Sequence, residues 1–450
     1  MYRIEDMEQI TANIDKIKYD AVKEYKTFYE PTLKENADVY KLILEYIKKK
    51  EKVIYGGYAQ NILLMSKNPN ETIYTEIDGV FFNWPDIADI EFYSPTPIED
   101  VIELTEFLHS KNLKYVEGKE GIHNDTYKIF VNFINYCDIT YISKNIYDNL
   151  PIITVNGIKC VSPHFMMVDA YRVITDPLTS YWRLDKSLNR FQKLIKYYPI
   201  DETKNSTDIK FDQINDKIYD EILLIIRKRI IQQSKLIVVG LHAFNYYVKK
   251  DSENYLIKKI PYYEAISSKL DKDSKKIYNK LQKFNITVKK FYPFFSFMDE
   301  RVEFYYNEHL IFKLYGNNQR CTVYTHSKKK KTYFGTYNLV LMYLLFNYFY
   351  SYINRNKSET IINSLLIGKL FESRKNYLNN RNITVIDKSP FQDFTYKCLG
   401  KPHETIRESY LKLMEKKKQG KRLKFSYTPS GKHGQIPEFK FNNISGNLKK

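Results

Sequence analysis

Residues 53–64 read VIYGGYAQNILL: a short apolar run, a Gly-Gly pair, then apolar positions spaced for one face of a helix. That is the pattern of a strand turning directly into a helix. It returns at residues 237–248, IVVGLHAFNYYV, where Gly240 answers to Gly56, Ala243 to Ala59 and Asn245 to Asn61 at an offset of 184 residues. Two further correspondences keep the same order. DIEFYS at 89–94 matches YYEAIS at 262–267, and CDITYIS at 137–143 matches CTVYTHS at 321–327, again offset by 184. An apolar helical segment follows in both copies, at 165–173 and 339–349. The expected fold class is α+β, built on an internal duplication.

Outward from these stretches, residues 1–50 read as two helices, with Pro31 near the second start. Residues 51–200 form the first α/β copy, 201–235 a helical connection and 236–407 the second copy. Residues 408–450 begin as a helix and run into a Gly-, Pro-, Ser- and Asn-containing stretch that reads as a flexible basic tail.

The chain has 450 residues, 43% of them hydrophobic, with only 15 Gly and 15 Pro, which excludes disordered and collagen-like classes. Such a length supports two to four domains with their own cores, by the rule of roughly 100–200 residues each. Cys137, Cys160, Cys321 and Cys398 are widely spaced and form no CxxC or Cys/His set, so neither a disulfide framework nor a zinc site is expected. The most apolar run, Tyr337–Ile353, is interrupted by Asn338, Asn347 and Ser351 and reads as a buried helix, not a membrane span. MYRIEDMEQI lacks the apolar core of a signal peptide, so the protein is expected to be intracellular, without membrane attachment. The 41 Tyr, with abundant Lys, Ile and Asn, fit an AT-rich coding sequence. A formal net charge of +18 points to an acidic partner, since Lys and Arg neutralise phosphates and release counterions. Residues 411–450 alone carry eleven Lys and Arg against two Glu.

Three acids carry chemistry. Asp89 and Glu91 stand two apart in a strand-like run, so both carboxylates share a face and can bridge divalent cations. Asp138 sits in a second strand among apolar neighbours, where an acid costs several kcal/mol unless paired or bound to metal. Asp86 is the rival first ligand, but it would face away from Asp89 on a strand and follows Pro85, so Asp89 is preferred. Gly56 and Gly57 expose backbone amides and let a phosphate approach. The cationic segment 181–196 offers Arg183, Lys186 and Arg190 on one face.

Strand-Gly-Gly, then apolar-Asp-x-Glu, then apolar-Asp-apolar (IYGGYA, ADIEFY, YCDIT) resembles the DNA polymerase β-like nucleotidyltransferase superfamily. Within it, YGGYAQN and IEFYS look most like the poly(A) polymerase catalytic subunits of giant viruses and poxviruses, although Glu91 stands where those enzymes usually have Asp. The resemblance implies that Asp89, Glu91 and Asp138 ligate two Mg²⁺ (or Mn²⁺) ions. It implies that Gly56, Gly57, Arg183, Lys186 and Ser162 contact the ATP substrate. The expected reaction is template-independent transfer of AMP from ATP to the 3′-hydroxyl of viral mRNA, with release of pyrophosphate. A CCA-adding or uridylyl transferase shares this chemistry, and a catalytically silent RNA-binding scaffold is the alternative of another class.

In the second copy Tyr262 stands in the place of Asp89, Thr322 is read opposite Asp138, and only Glu264 survives. That copy is expected to be a degenerate nucleotidyltransferase-like domain, a feature known for the poxvirus-type enzymes. Lys328, Lys329, Lys330 and Lys331, beside Tyr324, Tyr333 and Tyr337, suit single-stranded RNA, and Lys421 and Arg422 in the tail have the same character. The resemblance further implies a homodimer located in the virion and the viral factory of the host cytoplasm. The eight histidines form no ligand set, and GxGxxG, GxxxxGK[ST], GxSxG and HExxH are absent, which excludes those mechanisms.

Overall fold

The computed structural model describes residues 2–449 apart from 84–85, 122–124, 201–208, 210, 212–213, 253–255, 296–297, 318–320, 401–405, 420–424 and 430–447. The chain forms two compact units that do not follow contiguous blocks. One holds residues 1–147, 151–163 and 409–440, and the other 148–150, 164–408 and 441–450. Residues 164–200, read above with the first copy, lie in the second unit.

The first unit opens with α1 (Ile4–Ala12) and α2 (Ile14–Phe28), separated at Asn13, so three helices stand where two are expected. Neither buries a residue. α3 (Leu33–Lys49) differs: Thr32 and Glu35 close a capping box, and Val39, Tyr40, Ile43, Tyr46 and Ile47 recur at helical spacing and are buried. β1 (Val53–Tyr55) runs straight into α4 (Gly56–Lys67), as the Gly-Gly stretch predicts. β2 (Thr75–Ile77), β3 (Val80–Asn83) and β4 (Asp86–Ile87) form a small sheet of their own. β5 (Ile90–Ser94), α5 (Pro97–Ser110), β6 (Glu117–Glu120), β7 (Thr126–Val131), β8 (Ile134–Tyr141), α6 (Lys144–Tyr147), β9 (Ile152–Val155) and β10 (Ile158–Val161) follow. The main sheet has the order β6-β7-β8-β5-β1-β10-β9, in which β5–β8 and β1–β10 are parallel and the other pairs antiparallel.

α7 (Pro163–Thr175), α8 (Pro177–Ser180), α9 (Leu184–Tyr197) and α10 (Lys217–Ile225) lead into the second sheet. There β11 (Ile237–Val239) turns into α11 (Gly240–Val248), followed by β12 (Tyr263–Ser267), α12 (Leu270–Leu281), β13 (Thr287–Phe291), β14 (Arg301–Tyr306), β15 (His309–Gly316), β16 (Thr322–Ser327) and β17 (Thr332–Gly335). Its order, β13-β14-β15-β12-β11-β17-β16, reproduces the first strand for strand, with β12–β15 and β11–β17 as the parallel pairs. The apolar run expected as a buried helix is α13 (Tyr337–Ile353), buried on nearly every face and packed beside α14 (Lys357–Asn379). Among the described residues no helix is long and apolar enough to cross a membrane.

Strand order corrects one sequence correspondence. CDITYIS lies in β8, whose counterpart is β15, whereas CTVYTHS lies in β16, the counterpart of β9. Register then fixes the match: Glu91 pairs with Asp138 across β5–β8, and Glu264 pairs with Lys313 across β12–β15. Lys313, not Thr322, stands in the place of Asp138. The recurrence of the offset 184 at CTVYTHS misleads because connections between strands change length freely while pairing within the sheet does not.

The tail also departs from expectation. After β18 (Cys398–Leu399) and α15 (Ile406–Lys418), β19 (Ser426–Tyr427) adds an edge strand to β6, and β20 (Leu448–Lys449) one to β13. Phe425 is buried against Tyr127, and the Tyr427 hydroxyl donates to Glu106, so apolar burial anchors part of a stretch that composition marks as flexible. β18 pairs with β16, and Cys398 is disulfide-bonded to Cys321, a pairing the cysteine spacing does not suggest.

Candidate active site

The strand-to-helix turn of the first copy places Gly56 at φ +71°, a backbone conformation suited to glycine. A Cβ there would lie 1.7 Å from Glu91 Oε2, and the Gly57 N–H donates to that oxygen at 2.9 Å. The Gly-Gly pair therefore seats a carboxylate of the neighbouring strand at the position where a phosphate is expected from sequence. Glu91 in turn faces Asp138, its Cα partner on the parallel strand β8, and Asp89 precedes β5 by one residue. Asn135 Nδ2 donates to Asp138 Oδ1 at 3.0 Å and reaches Asp89 Oδ2 at 3.5 Å, linking the two acids. All three are half-buried, whereas Asp86 is exposed in the small sheet.

Lys128, on β7 directly across from Asp138, donates to both of its oxygens at 2.7 Å. Its side chain is 28% exposed and that of Asp138 13%, enough shielding for the pair to matter more than a surface bridge. Burial first, then the charge of Glu91, pushes the Tyr55 hydroxyl well above its ordinary range. Tyr55 accordingly stays protonated and donates to Thr140 at 2.7 Å, while its ring stacks on Tyr93 at 3.9 Å. Burial followed by the charges of Asp138 and Asp89 likewise pushes the Cys137 thiol far up, which leaves it inert. α3 holds the two acid-bearing segments from behind. The Tyr40 hydroxyl donates to the Ala88 carbonyl, next to Asp89, and the Tyr136 hydroxyl donates to Asn36 Oδ1.

Three carboxylates form an all-oxygen donor set, the chemistry that Mg²⁺ takes, and buried Asn135 Oδ1 beside them has no hydrogen-bond partner among the described residues. The donor types fit a divalent cation. The arrangement shown is turned to protein partners instead, and among the described residues no three His, Cys, Asp or Glu side chains converge on one point.

The second copy repeats the turn and inverts the charges. Gly240 has φ +61°, and a Cβ on it would meet Glu264 Oε1 at 2.2 Å. Glu264 is fully buried, accepts from the Tyr315 hydroxyl at 2.8 Å, and takes the Asn347 amide at 3.1 Å. Lys313 lies across from Glu303 where Asp138 lies across from Lys128, and its ammonium stands 5.1 Å from the ring of Tyr262. Burial opposes the Lys313 charge, yet Tyr262, Glu264 and Glu303 hold its pKa above the ordinary lysine value.

The remaining predicted positions lie on other elements. Ser162 joins β10 to α7, and its N–H donates to the Pro151 carbonyl at 2.7 Å. Arg183, in a 3₁₀ turn, lies 5.2 Å from the ring of exposed Trp182, and Lys186 is exposed on α9; both belong to the second unit. Lys328, Lys329 and Lys331 are exposed in the β16–β17 turn, whereas Lys330 folds back 5.6 Å from the ring of Phe334. Tyr337, expected beside them, is fully buried. Lys421 and Arg422 lie outside the described residues. Sequence reading missed Lys128, Asn135 and Tyr40, although a lone Lys in the strand TYKIFV carries the same signal as a lone Asp in CDIT.

Residues 41–180 match the family described as "Poly(A) polymerase catalytic subunit", and residues 192–449 match "APMV, Putative poly(A) polymerase, catalytic subunit, C-terminal". Over 466 aligned residues the chain is 31% identical to the "Putative poly(A) polymerase catalytic subunit" of Acanthamoeba polyphaga mimivirus, covering 95% of this chain and 78% of that one. A protein of the same description from African swine fever virus is 28% identical over 165 residues, 35% of this chain and 33% of its own. The crystal structure of the Megavirus polyadenylate synthase superposes with a TM-score of 0.91 at 30% identity, covering 100% of this chain and 93% of that one.

Proposed function

The chain belongs to the family of poly(A) polymerase catalytic subunits, and from that premise we propose that it extends viral mRNA 3′ ends by transferring AMP from ATP at Asp89, Glu91 and Asp138, releasing pyrophosphate. One observation carries the assignment of the site: the parallel β5–β8 pair sets Glu91 beside Asp138, with Asp89 linked to Asp138 through Asn135, and the second copy keeps only one of the three acids. Two divalent cations bound to these acids would neutralise the triphosphate and lower the pKa of the primer 3′-hydroxyl. Asn135 holds Asp89 and Asp138 at a fixed spacing, and the β5–β8 register fixes Glu91 beside them. Lys128 neutralises Asp138 until substrate and cation arrive. Gly57 holds Glu91 by a hydrogen bond from its N–H. Tyr40 fixes the backbone ahead of Asp89.

Lys328, Lys329 and Lys331 would contact phosphates of the single-stranded RNA. Family membership also motivates a homodimer working in the virion and the host-cytoplasmic viral factory. Light scattering giving a monomer mass would contradict the first part, and immunolabelling outside those sites the second. The reaction is tested by offering each of the four NTPs separately with Mg²⁺ and a labelled RNA primer to the wild type and to Asp89→Ala. Long extension with ATP alone, lost in the variant, is expected. Extension with UTP or CTP would replace the substrate, and an active variant would remove Asp89 from the site.

A further inference from the structure

The β16–β17 hairpin carries a feature its first-copy counterpart lacks. Alternation puts Tyr324 and His326 on one face of β16, and His326 pairs directly across with Tyr333. The three rings touch: His326 stacks on Tyr333 with centroids 4.5 Å apart at 27°, and Tyr324 meets Tyr333 edge-on at 5.1 Å. His326 is exposed and the two tyrosines half-exposed, while Phe334 and Val323 on the other face are buried. The Lys397 ammonium sits 5.6 Å from the Tyr324 ring, and Lys328, Lys329 and Lys331 stand exposed at the tip.

The duplication supplies an internal control. In the first copy, register places Ile152, Thr154 and Lys159 at the three ring positions. Lys159 is paired with Glu51 at 2.9 Å, and Asn156-Gly157 makes the turn where four lysines stand in the second copy. The sheet thus needs neither rings nor cations there. Adjoining aromatic faces flanked by ammonium groups match a chain whose flat bases alternate with phosphates.

We propose that this face of the second copy is a stacking platform for the single-stranded RNA that the enzyme extends, with bases on Tyr324, His326 and Tyr333 and phosphates on Lys328, Lys329 and Lys331. The identity of that RNA rests on the poly(A) polymerase reading; the platform does not. The test is anisotropy of labelled oligo(A) against the full-length protein across a salt series, with melting temperature as the control for folding. The double variant His326→Ala, Tyr333→Leu is expected to weaken binding roughly tenfold without changing the salt slope. Lys328→Ala, Lys329→Ala, Lys331→Ala should instead reduce the slope by about 2, near 0.7 per phosphate contact. Weakened oligo(A) binding by the ring variant, in a protein whose wild type never extends with ATP, would support the platform and overturn only the enzyme reading. Unchanged affinity in the folded ring variant, or equal competition by duplex RNA, overturns the platform.

Discussion

In the first copy, the strand pair β7–β8 sets Lys128 against Asp138; in the second, the equivalent pair β14–β15 sets Glu303 against Lys313. Both copies keep the glycine at positive φ and the glutamate lodged against it, Gly56 with Glu91 and Gly240 with Glu264. Both copies thus set opposite charges on facing strands, in opposite order, but they satisfy them differently: Lys128 and Asp138 pair directly, whereas Glu303 pairs with Arg301 and the Lys313 ammonium reaches the Asn347 amide oxygen at 3.5 Å. On the proposed reading an ammonium at Lys313 occupies the place of a metal ligand and supplies in permanent form the positive charge that Glu264 would otherwise share with a cation. The sheet order is the same in both copies whichever charge stands there.

The largest expected effects come from breaking what the copies share. Gly56→Ala and Gly240→Ala should each destabilise their own unit by about 2–4 kcal/mol, from left-handed backbone strain plus the collision with the glutamate. Primer extension should collapse only with Gly56→Ala. Urea titrations read by intrinsic fluorescence, run beside extension assays, check both halves, and equal loss of activity from the two variants would erase the functional distinction between the turns.

A smaller effect separates the copies by pH. His242 stands where the first copy has Tyr58, and burial first, then Lys330 and Arg227, hold its pKa down at about 3 against an ordinary 6.5. The unfolded chain thus takes up this proton near pH 6.5 and the folded chain only near pH 3, so this group weakens the second unit as pH falls between those values. The slope is at most about 1.4 kcal/mol per pH unit. Tyr58, whose pKa is pushed up, stays neutral throughout that range. His242→Tyr should flatten the acid limb of the urea midpoint against pH, and an unchanged limb would remove His242 from the balance.

How much of this was legible in sequence follows from what each signal measures. Strand-Gly-Gly-helix was readable twice because a positive φ leaves a residue type behind, and Asp-x-Glu was readable because its period of two is local. Asp138 could be found as an acid among apolar neighbours. Its counterpart could not, since Lys313 shares no residue type with it and only sheet register connects them; CTVYTHS offered a better textual match in the wrong strand. The contact of Gly56 with Glu91 was not legible for the same reason, since the two stand 35 positions apart along the chain. Tyr40 was hidden within an ordinary amphipathic helix, and Phe425 within a run of cations where one aromatic side chain outweighs the composition around it.

Whether the charge at the Asp138 position separates an active copy from a silent one is tested most directly by giving the first copy the charges that the second carries at these two facing positions. The double variant Lys128→Glu, Asp138→Lys keeps an ion pair across β7–β8, so its melting temperature should stay within a few degrees of wild type. Its primer extension with ATP should vanish. Single Asp138→Lys, which sets two ammonium groups face to face, should melt well below both. A folded double variant that still extends RNA would contradict the account, because Asp138 would then be dispensable and the second copy silent for some other reason.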